Sequence, residues 1–193
     1  MGDTEKPSVL VVMGVSGTGK STVAGLLAGR LGWELAEGDD LHPPANVAKM
    51  ASGHPLTDED RWPWLDKVAA WIKDRVSAGK TGVITCSALK RRYRDRLRGP
   101  GVMFVHLAGA KELIAARMAA LLHHFMPPGL LDSQVEALEP LETDENAIVL
   151  TLRADKTPQE EADEIIRRLG LRAADRGSTT AQGGAGAVSV DQT

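Results

Sequence analysis

The sequence is poor in cysteine, in excess basic charge and in long apolar runs. Its single cysteine, Cys86, excludes an internal disulfide and fits a reducing compartment. The formal net charge of −3 argues against a nucleic-acid-binding surface, because such surfaces carry an excess of Lys and Arg. No apolar run approaches the ~20 residues that a membrane-spanning helix needs, and the N-terminus has no apolar signal core. We therefore expect a cytoplasmic protein with no membrane segment and no nucleic-acid partner.

The length of 193 residues suits one good-sized domain rather than two. Residues 173–193 consist mainly of Gly, Ala, Ser and Thr, with almost no large apolar side chain. Such a segment cannot bury enough apolar surface to offset the conformational entropy lost on folding. We predict a single domain over residues 1–172 and a disordered tail over 173–193.

Five short apolar runs alternate with amphipathic helical patterns. The runs predicted as buried strands are 8–13, 33–36, 82–86, 102–107 and 147–152. Helices are predicted at about 20–31, 45–51, 63–78, 90–98, 111–122, 129–138 and 158–169. This alternation predicts an α/β fold in which helices cover both faces of a parallel sheet. Ligands of such sheets bind beyond the carboxyl ends of the strands, so the site is expected there.

A phosphate-binding motif lies between the first strand and the first helix. The spacing from Gly14 to Ser21 is G-x4-G-K-S, in the strand–loop–helix context that this motif needs. Its glycines let successive backbone N–H groups face one phosphate chain, and the helix N-terminus adds the positive end of its dipole. The chain is therefore predicted to bind a nucleoside triphosphate, with Lys20 on the β- and γ-phosphates and the Ser21 hydroxyl on Mg²⁺.

Two missing motifs narrow the class of nucleotide-binding protein. The sequence has no Asn-Lys-x-Asp guanine signature, which excludes an ordinary GTPase, and no apolar strand that ends in Asp, as a large ATPase has. The acidic residues at a strand end lie in the segment 37–40. In a small kinase an Asp there can orient or deprotonate the attacking hydroxyl and hold Mg²⁺ through water. We favour Asp39 for this role, with Asp40 second.

The expected substrate is a small anion that carries a hydroxyl group. Cations near the predicted site are Lys49, Arg61 and the residues from Lys90 to Arg94, which open a helix with six basic residues in nine. Arginine grips a carboxylate with two parallel hydrogen bonds, whereas a basic run on a helix is otherwise a solvated face. His42 can hydrogen-bond a polyol or be an ordinary turn residue beside two prolines.

Longer motifs of the chain resemble the gluconokinase family over about residues 9–169. The motifs are Gly38-Asp39-Asp40-Leu41-His42-Pro43, Cys86-Ser87-Ala88-Leu89-Lys90, His124-Phe125-Met126, Ser133-Gln134 and Leu138-Glu139-Pro140. The resemblance implies ATP-dependent phosphorylation of D-gluconate on its 6-hydroxyl. It also implies a three-layer P-loop kinase fold with strand order 2-3-1-4-5, a helical lid over about 113–138, and a homodimer.

The resemblance implies roles for individual residues. The triphosphate and Mg²⁺ would be held by Gly14, Val15, Ser16, Gly17, Thr18, Gly19, Lys20, Ser21 and Thr22. The sugar-acid pocket would be lined by His42, Lys49, Arg61 and Arg94. Asp39 would face the 6-hydroxyl and contribute to the metal site. Arg117 would lie against adenine and Pro158 would cover the other face of the base.

The chain departs from the family pattern at a few positions. Glu37 stands where the family usually has Asp, and Val135 where it tends to have an aromatic residue. Residues 121–123 are Leu-Leu-His, where similar proteins commonly place a basic residue and a glycine. Arg117 or one of Arg91 and Arg92 could then supply the missing catalytic cation, or the enzyme is slow. A kinase for another small anionic alcohol, such as shikimate, and a non-catalytic nucleotide-binding regulator stay open as alternatives.

Overall fold

The computed structural model describes residues 6–120 and 128–174. The strands are β1 (Val9–Met13), β2 (Glu34–Glu37), β3 (Gly82–Thr85), β4 (Val102–Ala108) and β5 (Ala147–Thr151). They form one parallel sheet in the order β2-β3-β1-β4-β5. The predicted α/β class, the positions of the strands to within one or two residues, and the strand order are therefore confirmed.

Helices cover both faces of the sheet. They are α1 (Lys20–Leu31), α2 (Pro44–Ala51), α3 (Asp58–Ser77), α4 (Arg91–Leu97), α5 (Lys111–Ala120), α6 (Pro128–Ala137) and α7 (Pro158–Arg168). Helices α1 and α7 pack on the face that carries Leu10 and Val12, whereas α3 and α4 pack on the face of Val9 and Val11. Successive side chains of a strand point to opposite faces, so the fully buried β1 contributes to both halves of the core.

The two edge strands are not buried as the sequence predicted. Glu34 and Leu35 of β2 are exposed, and so is Val149 of β5. In the described sheet each edge strand pairs with one neighbour only, and the buried strand residues of the two apolar clusters belong mostly to β1, β3 and β4. The expectation of five buried strands is therefore wrong for β2 and β5.

The helix α3 begins five residues before the predicted start at Pro63. Thr57 and Asp60 form a capping box, in which each side chain accepts a hydrogen bond from the other residue's backbone N–H. The earlier start places Asp58, Asp60 and Arg61 on the first turn of a helix, beside the sheet edge where the site was expected.

The predicted lid and tail lie partly outside the described residues. Helices α5 and α6 belong to the predicted lid 113–138, but residues 121–127, which include the Leu-Leu-His departure and the His-Phe-Met motif, are not described. The predicted tail is described only as far as Ala174. In the part of the chain that the structure describes, no helix is both long and apolar enough to cross a membrane.

Candidate active site

The loop from Gly14 to Gly19 connects β1 to α1 and packs beneath α5. Gly17 has a φ of +82°, and a Cβ atom at this position would collide with the side chain of Met118. The buried Thr18 hydroxyl donates a 2.9 Å hydrogen bond to the carbonyl of Val15, inside the loop. The hydrogen bond inside the loop and the packing of Met118 against Gly17 therefore both stabilise the curled backbone that phosphate binding requires.

The side chain of Lys20, the first residue of α1, reaches into this loop near the carboxylates of Asp39 and Glu37. Its Nζ donates a 3.0 Å hydrogen bond to the Val15 carbonyl. Burial lowers the pKa of Lys20, while the nearby Asp39 and Glu37 act in the opposite direction. The loop lysine and the acidic residues that follow β2 thus belong to one electrostatic site.

Glu37, the last residue of β2, is tied to the end of the phosphate-binding loop. Its Oε2 accepts hydrogen bonds from the Ser21 hydroxyl at 3.0 Å and from the Thr85 hydroxyl at 2.6 Å. The Thr85 oxygen in turn accepts from the Gly38 N–H at 3.1 Å. Strand register explains the arrangement, because Glu37 and Thr85 are paired residues of adjacent parallel strands. A hydroxyl and a carboxylate therefore lie together where the loop enters α1.

Asp39 and His42 follow directly, in a short 3-10 turn and at its end. The Asp39 side chain is 86% exposed, whereas that of His42 is 5% exposed, and Asp39 Oδ1 lies 3.9 Å from His42 Nε2. The His42 ring stacks on Trp64, whose indole N–H donates to the Gly38 carbonyl at 2.7 Å. Burial lowers the pKa of His42, partly opposed by Asp39. An open carboxylate thus stands beside a fixed, buried imidazole.

A group of cations surrounds the buried Tyr93, which lies on the helix that follows β3. Lys90, Arg61 and Arg92 lie 5.6, 5.6 and 5.9 Å from the centre of the Tyr93 ring. Asp58 accepts hydrogen bonds or ion pairs from Tyr93, Lys90 and Arg92, and the Tyr93 contact lowers its pKa. This cluster holds more positive than negative charge, so it suits an anionic ligand.

Comparison with known proteins shows which family this chain belongs to. No family model matches the chain. The gluconokinase of Gluconobacter oxydans (strain 621H) is 51% identical over 164 residues, which cover 84% of this chain and 91% of that protein. The chain belongs to the gluconokinase family. The fold agrees, since the crystal structure of a gluconokinase from Sinorhizobium meliloti 1021 matches with a TM-score of 0.76 and 43% identity, over 86% of this chain and 93% of that chain.

A second solved structure supports the same family assignment. The unliganded structure of a sugar kinase from Janibacter sp. HTCC2649 is 50% identical and matches with a TM-score of 0.79. The match covers 86% of this chain and 95% of that chain. The predictions of a gluconokinase-family enzyme and of a P-loop kinase fold are therefore confirmed, at nearly the full length of the relatives.

Most predicted acceptor-side residues come together within this gluconokinase-family fold. Lys49 Nζ lies 2.5 Å from Asp60 Oδ2 and lowers the pKa of Asp60 to about 2. Arg61 donates to the carbonyl of Leu56 at 2.6 Å and approaches the Tyr93 hydroxyl at 3.4 Å. Neither Lys49 nor Arg61 is fully buried, so both retain access to a ligand.

Arg94 is the exception, and its predicted contact with the substrate is corrected. Its side chain is fully buried and pairs with the equally buried Glu145, through Nε at 2.5 Å and one terminal nitrogen at 3.2 Å. The remaining N–H groups donate to the carbonyls of Ala88, Leu89 and Pro140. A guanidinium has five N–H donors, and these contacts use all of them. Arg94 therefore links the loop after β3 to the segment before β5.

Arg117 and Pro158 lie by the connection that follows β5. Arg117 donates to the Arg153 carbonyl at 3.2 Å and to the buried Glu161 carboxylate at 2.9 Å. Pro158 is the first residue of α7, after the connection that follows Thr151 at the end of β5. These contacts fix the Arg117 guanidinium against the connection between β5 and α7, and its predicted roles at adenine and in catalysis both stay predictions.

Two features of the site were missed in the sequence. Glu37 was counted among the acidic residues at a strand end and as a departure from the family pattern, but no role was assigned to it. Gln134 belongs to a quoted motif without an assigned role, and its side-chain oxygen accepts from the Ser16 N–H at 2.7 Å. Cys86 is a buried packing residue rather than a nucleophile, because burial raises the pKa of its thiol to about 12.

Proposed function

We propose that this protein transfers the γ-phosphoryl group of ATP to the 6-hydroxyl of D-gluconate, giving 6-phospho-D-gluconate and ADP. One observation carries the proposal: a phosphate-binding lysine, an exposed carboxylate and a cation cluster lie at the same edge of the sheet. Lys20 suits the triphosphate, Asp39 suits the attacking hydroxyl, and the cations around Tyr93 suit the carboxylate of the sugar acid.

Asp39 has the central chemical role in this proposal. It orients the 6-hydroxyl and accepts its proton as the hydroxyl oxygen bonds to the γ-phosphorus. The bond from that phosphorus to the β,γ-bridging oxygen breaks, and ADP leaves with the bonding electron pair. Lys20 and the loop N–H groups stabilise the negative charge on the phosphoryl oxygens. Positioning and electrostatics therefore supply most of the rate acceleration.

We further propose that Mg²⁺ accompanies ATP. The Ser21 hydroxyl and the Glu37 carboxylate are oxygen ligands 3.0 Å apart, which fits the preference of this ion. Ser21 would ligate the ion directly, and Glu37 and Asp39 through water, because Mg²⁺ keeps several of its waters. When bound, the ion neutralises charge on the β- and γ-phosphates. Among the described residues there is no cluster of three or more His, Cys, Asp or Glu that could hold a metal ion.

The two ends of the site have separate binding roles. At the acceptor end, we assign the carboxylate of D-gluconate to Lys49, Arg61 and Lys90, of which Arg61 can grip both oxygens at once. At the nucleotide end, Arg117 and Pro158 would enclose adenine. The partial exposure of Lys49, Arg61 and Lys90 supports the first assignment, and the fixed position of Arg117 supports the second.

The test is ADP release with Mg-ATP in the presence of D-gluconate, shikimate, D-glucose, glycerate or no acceptor. We expect strong stimulation by D-gluconate alone. Stimulation by shikimate alone would transfer the activity to another small anionic alcohol. If no acceptor stimulates the reaction while calorimetry still detects ATP binding, the protein is a nucleotide-binding regulator and the proposed reaction is wrong.

The assembly, location and domain boundaries are proposals as well. We propose a homodimer in the cytoplasm, built from one domain over residues 1–172 with a lid over about 113–138. The family resemblance supports these assignments. Sedimentation analysis of the full chain tests the homodimer, and limited proteolysis with and without ATP tests the lid and the tail boundary.

A further inference from the structure

The ring of His42 has three close neighbours that fix its position. It stacks on Trp64 with ring centroids 4.2 Å apart and an interplanar angle of 18°. Its Nδ1 lies 3.3 Å from the side-chain nitrogen of Asn46, a buried residue on α2. Its Nε2 faces Asp39 Oδ1 at 3.9 Å. The imidazole is therefore held between a buried amide and the exposed carboxylate of the site.

The orientation of the Asn46 amide determines which ring nitrogen of His42 carries the proton. The Asn46 side-chain nitrogen donates a 2.8 Å hydrogen bond to the backbone carbonyl of Asp60. A carbonyl oxygen can only accept, so the amide cannot be turned to face it with its own oxygen. The second hydrogen of the same nitrogen then points to His42 Nδ1, which must accept it. In a neutral imidazole this leaves the proton on Nε2, the nitrogen that faces Asp39.

We propose that Asn46 is a positioning residue that acts through His42 to orient the Asp39 carboxylate. The inference rests on the proposed function, since it assigns Asp39 to the acceptor hydroxyl. Because the Asp39 side chain is 86% exposed, packing restrains its rotation little. The 3.9 Å separation is too long for a hydrogen bond, so the proposal requires the exposed Asp39 side chain to rotate toward the Nε2–H. The donor then holds one carboxylate oxygen and leaves the other for the hydroxyl.

The first test measures the tautomer and needs no activity. Two-bond ¹H–¹⁵N correlations of the labelled wild-type protein report the protonation of each histidine ring, and the His42→Gln variant identifies the His42 signals. We expect the Nε2–H tautomer in the wild type and a mixture of tautomers in Asn46→Ala. A wild-type His42 protonated on Nδ1 would overturn the inference.

The second test compares kcat with KM. His42→Phe keeps a ring to stack on Trp64 but removes both nitrogens, and we expect it to lower kcat for D-gluconate about 10-fold or more while KM for ATP stays unchanged. His42→Gln restores a side-chain N–H and should recover part of the loss. His54→Phe is the matched control, since His54 is exposed and contacts Ser52 instead.

The outcomes separate the inference from the proposed function. Full kcat in His42→Phe would overturn the inference, and this variant decides the matter even if Asn46→Ala fails to fold. A wild-type protein that phosphorylates no sugar acid would instead overturn the proposed function. The tautomer measurement would still test the pairing of Asn46 with His42 in that case.

Discussion

The backbone N–H of Ser16 donates a 2.7 Å hydrogen bond to the side-chain oxygen of Gln134. Ser16 belongs to the phosphate-binding loop, whereas Gln134 lies on α6, 118 residues later in the chain. Leu131 of the same helix packs in one apolar cluster with Val15 and Leu89. Helix α6 therefore lies over the loop and places an amide oxygen on an N–H of the kind that binds phosphate.

This contact predicts a charge-sensitive nucleotide site. Gln134→Glu keeps an acceptor for Ser16 but adds a negative charge beside the triphosphate, so we expect ATP binding to weaken by about 10-fold or more. Calorimetric titration with ATP measures the effect. Ser133→Glu is the control, because it adds the same charge to an exposed neighbouring position. Equal weakening in both variants would mean that Gln134 has no special place at the loop.

Conversion of Asp39 to Asn should remove most of the kinase activity without unfolding the protein. The amide cannot accept the proton of the acceptor hydroxyl, and the exposed side chain contributes little to packing. Steady-state kcat and the melting temperature measure the two effects. Asp40→Asn alters the adjacent carboxylate, which is also exposed, and should retain activity. Near-normal turnover of Asp39→Asn would show that its assigned role is wrong.

Lys20→Ala should likewise lose most activity while staying folded.

Glu37→Gln should raise the Mg²⁺ concentration needed for activity. The substitution preserves the size of the side chain but removes the charge that faces Ser21. Loss of a residue that contacts a metal through water or a ligand commonly costs about 10-fold or more in metal affinity or activity. Rates measured over a range of Mg²⁺ at fixed ATP test this. Glu34→Gln, on the same strand, is the control, and an unchanged Mg²⁺ dependence of Glu37→Gln would exclude the proposed contact.

The buried pair of Arg94 and Glu145 should dominate the response of stability to mutation. Arg94→Met leaves a buried carboxylate without its cation, a change that costs about 3–5 kcal/mol in the free energy of unfolding. The double variant with Glu145→Met should recover much of that loss. Arg96→Met removes an exposed ion pair and should cost about 1 kcal/mol or less. Urea unfolding measures all three. A raised KM for D-gluconate in the folded double variant would indicate that Arg94 contributes to substrate binding after all.

The same pair should make stability depend on acid pH. Burial alone would raise the pKa of Glu145, but hydrogen bonds from Arg94 and from the Glu142 N–H outweigh it, and the folded-state pKa is lowered. The stabilisation is then complete above the unfolded value of about 4.3 and is lost as the pH falls through the folded-state pKa. Urea unfolding of the wild type and the double variant should converge over that range. A constant difference down to the acid limit would contradict this sign.

The phosphate-binding loop and the sheet were predictable because each depends on short, local patterns. A fixed spacing from Gly14 to Ser21 and a run of apolar residues need no knowledge of distant contacts. The start of α3 was missed although it is also local, because Thr57 and Asp60 suit a turn as well as the capping box of a helix. In that case the turn residues and the helix start share the same chemistry.

The side-chain partners were less predictable because they depend on residues far apart in the chain. Arg94 looked available for a substrate until its pairing with Glu145, 51 residues later, was visible. The contact of Glu37 with Thr85 depends on the register of β2 against β3, which the sequence does not show. A cationic residue at a strand end can serve a ligand or the core, and only the tertiary structure distinguishes the two.

Among the described strands, β2 is an edge strand that pairs with β3 alone, yet it ends in Glu37 and leads directly into Asp39. The phosphate-binding loop, by contrast, extends from the central, fully buried β1. Fraying of an edge strand breaks few contacts and costs less than global unfolding. On gentle warming, phosphoryl transfer should therefore be lost at a lower temperature than nucleotide binding.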